Sequence, residues 1–567
     1  MVEQVWRANV TDQKVAIESV PSSWYQLGGR GLIARICLDE ISATCDPLGK
    51  SNKLIWSPGL LVGHMVPTCD RISVGGKSPL TGGIKESNAG GSTGKDLSYL
   101  GIRALILEGK SSDDNWWLLH LDGDGGQFLP ADDIVGLGIY QTASVLLSRY
   151  GKNISLILIG PAGEMRLRAA GIQNLDKDGE PSRINARGGL GSIMGSKKIK
   201  GIIIDPSRGE KPPIADHDLF VSARKEFTRK LFDHPWTKTR AEYGTVANTL
   251  AVNAFGGLPT YNFSSGVFSS ASEISGEEMR KLIIERNGEG HTTHACMAGC
   301  IVRCSNSFAN SDGMKIVSPI EYETVALVGS NLGIDNLDKV GRINREINDL
   351  GLDSIEVGGA LGVAAEAGIF RFGDYHAVMK LIGEIRKGTP LGHILGNGVW
   401  ITGKVLGVER IPAVKGQAIP GYDPRIFKGI GITYATSPQG ADHTAGPTWR
   451  SEGCITDRSE LAKLSLRSQI KMAAIDTLGI CLMGTVGFNQ APDALRRLLV
   501  ARYGWEIGDN FVEALGVKVL EMERDFNRSA GIGPERDQIP EWMKYEKLPP
   551  NSEVFDISQQ IIDSVFN

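Results

Sequence analysis

Three cysteines stand close together in the stretch HACMAGCIVRCSN, at Cys296, Cys300 and Cys304. The chain has only eight cysteines, and three of them share nine consecutive positions. Disulfides join cysteines in pairs, and neighbours this close make poor cross-links because the loop they close is short. Thiolates prefer soft metals, so the triplet predicts a metal centre that lacks one ligand. On a helix, the two four-residue steps would place all three thiols on one face.

The ligand spacing discriminates between metals. Zinc sites usually draw their ligands from two separated pairs, whereas three close cysteines with one distant cysteine are common in iron–sulfur proteins. The spacing therefore favours an iron–sulfur cluster, with buried structural cysteines as the alternative. It does not choose the fourth ligand among the remaining cysteines, which are Cys37, Cys45, Cys69, Cys454 and Cys481.

The overall composition excludes several classes of protein. Hydrophobic residues make up 41% and charged residues 22% of the chain, and the formal net charge is −4. These values are ordinary for a globular protein, and no basic block predicts a nucleic-acid partner. The N-terminus lacks the pattern of a signal peptide, and no apolar run is long enough to span a bilayer. The expected location is the cytoplasm, where clustered cysteines more often bind metal than each other.

Glycine is over-represented and clustered. The chain has 71 glycines in 567 residues, against roughly 7% in average usage. Glycine lets the backbone approach a ligand closely and exposes N–H groups to anions. Turn formation explains any single cluster, but five clusters in the first 200 residues favour a large anionic ligand held by backbone groups. The clusters are GGRG (28–31), GG (75–76), TGG (81–83), NAGGSTG (88–94) and RGGLGSIMG (187–195).

Hydrophobic patterning divides the chain into three parts. Residues 1–206 carry short apolar runs separated by Gly, Pro, Asp and Asn, which predicts a β-rich domain. Residues 207–412 repeat apolar side chains at three- and four-residue steps, which predicts helices. Residues 413–567 open with a proline-rich loop and return to a helical pattern. No internal repeat is evident in the sequence.

Two further motifs have weaker readings. RGGLGSIMGSKKIKGIIID (187–205) contains glycines spaced roughly as in a dinucleotide-binding turn, which should follow an apolar strand directly. The preceding DKDGEPSRINA (176–186) does not resemble a strand, so a dinucleotide site is not favoured. Asp353 in GLDSIEVGG and Asp476 in DTLGIC are each explained by helix capping when taken alone.

Taken together, these stretches resemble the aldehyde ferredoxin oxidoreductase family of tungsten or molybdenum bis-pterin enzymes. The resemblance covers most of the chain in the same order, and it implies an α+β fold. An N-terminal double β-layer would carry the cofactor, followed by two mostly α-helical domains. The matching stretches are GGRGLIARICLDE (28–40), NKLIWSPG (52–59), DRISVGGKSPLTGGIKESNAGG (70–91), IGPAGE (159–164), ARGGLGSIMGSKKIKGI (186–202), PIEYETVALVGSNLGID (319–335), YDPR (422–425), YATSPQGADH (434–443) and DTLGIC (476–481).

The resemblance implies a cluster and a catalytic pair. The family's fourth cluster cysteine closes a D-x-L-G-x-C segment, so Cys481 would join the triplet to hold one [4Fe–4S] cluster. Glu323, which follows Tyr322, and the distant His443 match the family's catalytic positions. A carboxylate can take a proton while oxygen adds to a carbonyl carbon, and an imidazole can stabilise the charge on the carbonyl oxygen.

The resemblance also implies the contacts to the cofactor. One of Arg183 and Arg187 would hold a pterin phosphate, because a guanidinium donates paired hydrogen bonds. A Mg²⁺ ion would bridge the two pterin phosphates. The other residues implied to contact the pterins are Arg71, Asn88, Gly90, Asp353, Gly358, Asp476 and Gly479.

The implied activity is the interconversion of aldehydes and carboxylic acids, with electrons leaving through the cluster. The sequence shows no second cluster motif, so ferredoxin or an iron–sulfur subunit is the expected acceptor. One alternative is low-potential reduction of an aromatic acyl-CoA on the same cofactor. Another is a non-catalytic iron–sulfur electron-transfer protein, which would leave the glycine clusters and Arg71 unexplained. A homodimer and a hetero-oligomer both remain open.

Three features depart from the family pattern. CMAGC has three residues, where many members have two, between the first two cluster cysteines. Ala445 replaces a basic residue that often stands two places after the histidine, which affects one expected pterin contact. No histidine has Glu three positions earlier, so the subunit-bridging iron that some members hold through E-x-x-H is not expected.

Overall fold

The computed structural model describes residues 3–566. Short apolar runs of strand length form the β-strands of its N-terminal part. Twelve strands within residues 4–204 make two six-stranded sheets, and residues 291–418 add two small sheets. The twelve strands are β1 (Gln4–Asn9), β2 (Lys14–Ser19), β3 (Leu54–Pro58), β4 (Ile72–Lys77), β5 (Ile84–Ala89), β6 (Ile102–Glu108), β7 (Trp117–Asp122), β8 (Gly125–Pro130), β9 (Ser155–Leu158), β10 (Ile172–Leu175), β11 (Pro181–Asn185) and β12 (Ile199–Ile204). The small sheets contain β13 (His291–His294), β14 (Ser305–Ala309), β15 (Lys315–Val317), β16 (Ala413–Val414) and β17 (Gln417–Ala418).

Helices dominate after residue 216, as the three- and four-residue apolar steps predict. The α-helices are α1 (Gly29–Glu40), α2 (Thr93–Tyr99), α3 (Ile139–Tyr150), α4 (Pro161–Glu164), α5 (Leu190–Ser196), α6 (His217–Phe232), α7 (Pro235–Tyr243), α8 (Asn248–Phe255), α9 (Gly276–Arg286), α10 (Tyr322–Thr324), α11 (Leu337–Leu350), α12 (Ser354–Glu366), α13 (Tyr375–Lys387), α14 (Pro390–Gly396), α15 (Val399–Leu406), α16 (Lys428–Thr436), α17 (Arg458–Leu478), α18 (Thr485–Gln490), α19 (Pro492–Tyr503), α20 (Phe511–Ser529) and α21 (Gln559–Asp563). The predicted fold class, a double β-layer followed by helices, is confirmed.

Local sequence explains where these helices begin and end, and α11 is an example. The side chain of Asn336 accepts a hydrogen bond from the backbone of Lys339 at the N-terminus, which satisfies one of the free N–H groups of the first turn. Val340, Ile343 and Ile347 form a buried stripe at helical spacing. Gly351 ends the helix with φ +72°, a conformation that glycine adopts at low cost.

The two large sheets have the same topology. The first runs β2-β1-β6-β3-β4-β5 and the second β8-β7-β12-β9-β10-β11, so each strand of one sheet corresponds to the strand six places later. In both sheets one parallel pair, β1 with β6 and β7 with β12, joins otherwise antiparallel neighbours. The sequence shows no evident internal repeat, whereas the strand order repeats in full. Its trace in sequence is NAGGSTG (88–94) beside NARGGLG (185–191), each linking a strand to a helix.

The prediction that residues 176–186 contain no strand is wrong. PSRIN forms β11 and pairs antiparallel with β10, because the pairing with a buried neighbour outweighs the polar composition. β11, α5 and β12 do not form a parallel βαβ unit, since β10 and β9 lie between the two strands. A dinucleotide-binding turn needs such a unit, and this part of the structure does not supply one.

The predicted domain boundaries fall in connections between elements. β12 ends at Ile204 and α6 begins at His217, and the boundary at 412/413 lies just before β16. The division into three domains stays a prediction. Within the described residues, no single helix has both the length and the apolarity to cross a membrane; only the bent pair Arg458–Leu478 and Leu482–Gln490, at 109°, has them in combination.

Candidate active site and cysteine centre

The cysteine triplet lies in a loop of turns between β13 and β14, and the expectation of a helical face is wrong. Gly299 has φ +72° and Arg303 φ +52°, left-handed conformations that a right-handed helix does not contain. The loop instead brings the thiols of Cys296 and Cys300 into hydrogen-bonding contact. The hydrogen bond from Cys300 lowers the pKa of Cys296 to about 6, and the same contact raises the pKa of Cys300.

Cys481 brings a fourth thiol to the triplet. Burial raises its pKa, the nearby Arg71 lowers it, and Cys296 raises it further. Cys304 in turn interacts with both Cys481 and Cys296, so the four thiols face a common space. Other cysteines lie elsewhere: Cys37 and Cys69 are buried in the core, and Cys454 is exposed.

Hydrogen bonds link Cys481 to the sheet and to α17 through Arg71. The guanidinium donates to the Cys481 Sγ atom at 3.5 Å and to the Asn88 carbonyl at 2.9 Å, and it also contacts the Asn88 side chain. Asn88 then donates to an Asp476 carboxylate oxygen at 3.1 Å. Three residues from two separate stretches, 70–91 and 476–481, therefore form one connected line beside the thiols.

The line continues into two residues that sequence reasoning missed. Arg30 donates two hydrogen bonds of 2.8 Å to Glu523 and lies 3.3 Å from the Asp476 carboxylate. All three side chains are at most 7% exposed, and burial raises the pKa of Asp476 to about 6 against the opposing effect of Arg30. The available signal was a charged residue inside the GGRG cluster, but its partner in α20 has no local signature.

The structure distinguishes Arg187 from Arg183. The Arg187 guanidinium lies 3.2 Å from Asp353 and 3.4 Å from Glu356, and it donates to the carbonyls of Ala418 and Ala441. Protein groups therefore already occupy its donors.

Arg183 keeps a free donor. It donates to the Ser305 hydroxyl at 2.7 Å, and its buried Nε has no partner in the described chain. Of the two arginines, Arg183 is the one with a donor left for a phosphate.

The glycines implied to contact a pterin have different local roles. A Cβ on Gly90 would lie 2.9 Å from the Cys296 sulfur, so this position keeps the sheet close to the thiols. A Cβ on Gly358 would meet the Leu327 carbonyl at 2.6 Å, which indicates close packing of α12. Gly479 ends α17 with φ +81°. Asp353 caps α12 through the Ile355 backbone, as its motif predicts.

Glu323 and His443 face each other in a buried place. One Glu323 oxygen accepts a 2.7 Å hydrogen bond from the Gly421 backbone, and the other lies 3.7 Å from the His443 Nδ1 atom. That distance is too long for a hydrogen bond, and both atoms are buried without a partner in the described chain. Burial raises the pKa of Glu323, although the nearby His443 opposes the shift.

Tyr322 contacts Gly421, the residue that also binds Glu323. Its hydroxyl donates to the Gly421 carbonyl, and its ring lies 5.0 Å from that of Tyr422. Residues Val325–Gly329, which follow α10, form a π-helix, a feature frequent at functional sites. The hydroxyl of Tyr322 is thus engaged by the backbone of Gly421.

A salt bridge fixes the residue beside His443. Lys85 pairs with Asp442 at 2.7 Å, and the lysine is 1% exposed. Burial would raise the pKa of Asp442, but Lys85 and Arg187 hold it well below its usual range. Asp442 is therefore a fixed negative charge, whereas burial raises the pKa of Glu323.

Two other features do not involve Glu323 or His443. Asp176, Asp178 and His294 have potential metal-ligating atoms within 4.8 Å of one another, but Asp176 already accepts backbone N–H groups of its own turn. A cavity of about 540 Å³ lies between Arg103, Arg502 and Trp505. Neither of the two residues Glu323 and His443 lines that cavity.

A solved structure shares the fold described above. The active-site complex BamBC of benzoyl coenzyme A reductase, in complex with 1,5-dienoyl-CoA, superposes with a TM-score of 0.79 over 97% of this chain and 92% of the other. The two sequences are 18% identical, so this similarity shows the architecture alone.

Sequence comparison gives the family. The model of the aldehyde ferredoxin oxidoreductase N-terminal domain matches residues 5–206, and that of domains 2 and 3 matches residues 222–565. The chain therefore belongs to the aldehyde ferredoxin oxidoreductase family. Tungsten-containing aldehyde ferredoxin oxidoreductases of Thermococcus kodakarensis and Pyrococcus abyssi are each 32% identical to it, over 96% of this chain and 91% and 92% of theirs. The resemblance recognised from the motifs is confirmed.

Proposed function

We propose that this protein interconverts aldehydes and carboxylic acids on a tungsten or molybdenum bis-pterin, with electrons passing through one [4Fe–4S] cluster. In the oxidative direction an aldehyde and water give an acid, two protons and two electrons. The observation that carries the proposal is the partly buried pair Glu323 and His443, whose facing atoms are buried and lack a hydrogen-bond partner in the described chain. Family membership and the names of its relatives support it.

The residues present fit a large bound cofactor. Each half of the repeated β-layer has an Asn-Ala pair followed by two glycines between a strand and a helix, at Asn88 and at Asn185. Unpartnered buried atoms at Arg183, Glu86 and Gln417 are the kind of group that a polar ligand satisfies. When bound, a tungsten or molybdenum pterin would supply the two-electron redox chemistry. Arg183, Arg71, Asn88 and Asp476 would hold it, and a Mg²⁺ ion that neutralises the phosphates belongs to the same proposal.

Glu323 and His443 would divide the proton chemistry between them. An ionised Glu323 takes a proton as oxygen adds to the carbonyl carbon, and its raised pKa strengthens it as a base. His443 donates a hydrogen bond to the carbonyl oxygen, where negative charge develops. Gly421 fixes the other Glu323 oxygen, so the free oxygen faces His443 and would be available to a substrate bound beside them.

Electrons would leave through the thiol-bound cluster. Cys296, Cys300, Cys304 and Cys481 supply its four ligands, and Arg71 lies between Cys481 and the proposed pterin contact Asn88. The guanidinium donates to sulfur, and hydrogen bonds of this kind tune cluster potentials. The acceptor we propose is ferredoxin or an iron–sulfur partner subunit.

Anaerobically purified protein should reduce a viologen dye when an aldehyde is added. The assay compares an aliphatic and an aromatic aldehyde with benzoyl-CoA supplied together with reduced dye. Aldehyde-dependent reduction supports the proposal. Oxidation of the reduced dye by benzoyl-CoA, without aldehyde turnover, would instead assign the low-potential reductase activity.

The pH dependence of this activity follows from the raised pKa of Glu323. A general base acts only when ionised, so kcat/KM should fall as the pH drops through that pKa. The acid limb of the kcat/KM profile should therefore lie above the ordinary glutamate pKa of about 4.3. The measurement is kcat/KM for one aldehyde from acidic to neutral pH, and an acid limb within the ordinary range would contradict the assignment.

A further inference from the structure

The cavity of about 540 Å³ lies beside the C-terminal end of α19. Its walls come from Glu3, from β2 and the turn after it, from β6, and from two segments at 213–215 and 502–505. Ligand pockets typically have volumes of about 300–1,000 Å³, so this cavity is large enough for a small organic molecule. None of the residues that line it has a role in the proposed aldehyde chemistry.

Two arginines form the charged wall of the cavity. Arg103 and Arg502 are only 4% and 5% exposed, and the Glu3 carboxylate bridges them at 3.1 Å and 2.7 Å. The lining residues thus hold two guanidinium groups against one carboxylate, which leaves one surplus positive charge. A surplus charge in a partly desolvated wall favours an anionic ligand.

Aromatic side chains form much of the remaining wall. Tyr503 and Trp505 stack with ring centroids 4.1 Å apart and an angle of 7° between their planes. The Arg502 guanidinium lies 4.5 Å from the Tyr503 ring centroid, and the Tyr503 hydroxyl donates to the Leu60 carbonyl at 2.9 Å. Tyr25 adds an exposed ring. Rings held in place by such contacts are pre-organised to stack on a planar ligand.

One loop, residues 59–71 between β3 and β4, connects the cavity to the cysteine centre. The side chain of His64 contacts the Arg502 guanidinium, and burial together with nearby arginines lowers the pKa of His64 to about 3. The next residue, Met65, is exposed, and a Cβ on Gly299 would lie 3.5 Å from its terminal methyl carbon. Gly299 belongs to the turn between the first two cysteines of the triplet. Two consecutive residues therefore join the wall of the cavity to the cysteine loop.

We propose that this cavity binds a planar aromatic electron acceptor that carries a negative charge, of the quinone or flavin class. The anionic group lies beside Arg103 and Arg502, and the ring system stacks against Trp505 and Tyr25. Each acceptor molecule takes the two electrons and two protons that are released when one aldehyde and one water give an acid. The electron transfer rests on the proposed function and adds a small-molecule acceptor to it, whereas the binding does not depend on it.

Isothermal titration of the oxidised holoenzyme tests binding without turnover. The probes are anthraquinone-2-sulfonate, a planar quinone with one negative charge, and flavin mononucleotide; cyclohexanesulfonate is an anion without an aromatic ring. At least one aromatic probe should bind about 10-fold or more tightly than cyclohexanesulfonate, the usual gain from a stacked ring. The probe that binds identifies the class of acceptor. The absence of a saturable site for both probes would overturn the inference.

Substitutions in the walls locate the bound probe. Trp505→Leu and Tyr25→Leu should each weaken binding about 10-fold, because each removes an aromatic face. Arg103→Gln should weaken it by about 10- to 100-fold through the loss of a charged group, whereas Arg103→Lys should retain most of the affinity. Unchanged affinity in both aromatic variants would place the probe elsewhere and overturn the inference.

An exposed tryptophan outside the cavity gives the matched control. Trp400, in α15, has the Lys404 ammonium 4.7 Å from its ring centroid, so it also combines an aromatic face with a positive charge. It does not line the cavity, and Trp400→Leu should leave the affinity for the probe unchanged. An equal loss in Trp400→Leu and Trp505→Leu would show unspecific stacking and count against the cavity.

Aldehyde-dependent reduction of the bound probe tests the acceptor role. Trp505→Leu should raise the KM for the probe about 10-fold, and Trp400→Leu should not change it. A holoenzyme that reduces viologen with aldehyde but leaves the bound probe oxidised would refute the acceptor role and leave the proposed function standing. Binding that depends on Trp505 in a protein that oxidises no aldehyde would refute the proposed function and support the binding site.

Discussion

Replacing Glu323 with Gln should lower aldehyde turnover by about 100- to 10,000-fold, the usual contribution of general acid–base catalysis. The amide keeps the size of the side chain, but it cannot take the proton as oxygen adds to the carbonyl carbon. The measurement is kcat with a viologen acceptor, together with metal and iron content. Both contents should stay unchanged, because no proposed cofactor contact involves Glu323.

A second buried glutamate gives the matched control. Burial raises the pKa of Glu452 to about 7, and its carboxylate accepts from the Gly429 backbone away from His443. Glu452→Gln should therefore change kcat little. His443→Asn, which keeps a donor, should lose less activity than His443→Ala. Near-normal turnover by a fully loaded Glu323→Gln enzyme would show that the base lies elsewhere.

Cys481→Ser should remove the cluster or convert it to a form with fewer irons. The hydroxyl is a poor ligand for iron compared with a thiolate, and the three remaining cysteines leave one iron without its protein ligand. The backbone around Cys481 is held by its hydrogen bond to Thr68 and by that from Gly484, so the fold should persist. Iron content and the electron paramagnetic resonance of the reduced protein measure the loss.

Cys454→Ser is the control for this substitution, because the Cys454 thiol is exposed and lies away from the triplet. Its iron content should equal that of the unchanged protein. Loss of iron from Cys454→Ser with retention in Cys481→Ser would reverse the choice of the fourth ligand.

Local signals predicted the elements of this fold well. Apolar runs alternating with turn residues were enough to predict β3, β6, β7, β9 and β12. Apolar side chains at helical spacing were enough to predict α6, α9, α11 and α17. β11 was missed because its residues are polar and its strand conformation depends on pairing with β10. The repeat of the β-layer was missed because topology persists where side chains have diverged, with only the segments NAGGSTG (88–94) and NARGGLG (185–191) left as a trace in the sequence.

Less of the candidate site than of the fold could be predicted from the sequence alone. Spacing predicted a metal centre at the triplet, but Cys481 lies 177 positions after Cys304 and came only from the family resemblance. The Arg30–Glu523 pair joins residues 493 positions apart. At the cavity, Glu3, Arg103 and Arg502 meet from three separate segments, and none of them carries a motif. Contacts of this kind arise from tertiary packing, which a single sequence does not encode locally.

Elemental analysis of anaerobically purified protein tests the central claim most directly. One bis-pterin metal and one [4Fe–4S] cluster per chain predict tungsten or molybdenum and iron in a ratio of about one to four. An iron content clearly above this ratio would point to a further iron site. We expect no such site, because the sequence lacks an E-x-x-H motif. Iron at this level with neither tungsten nor molybdenum, in protein that is otherwise intact, would contradict the account and identify an electron-transfer protein instead.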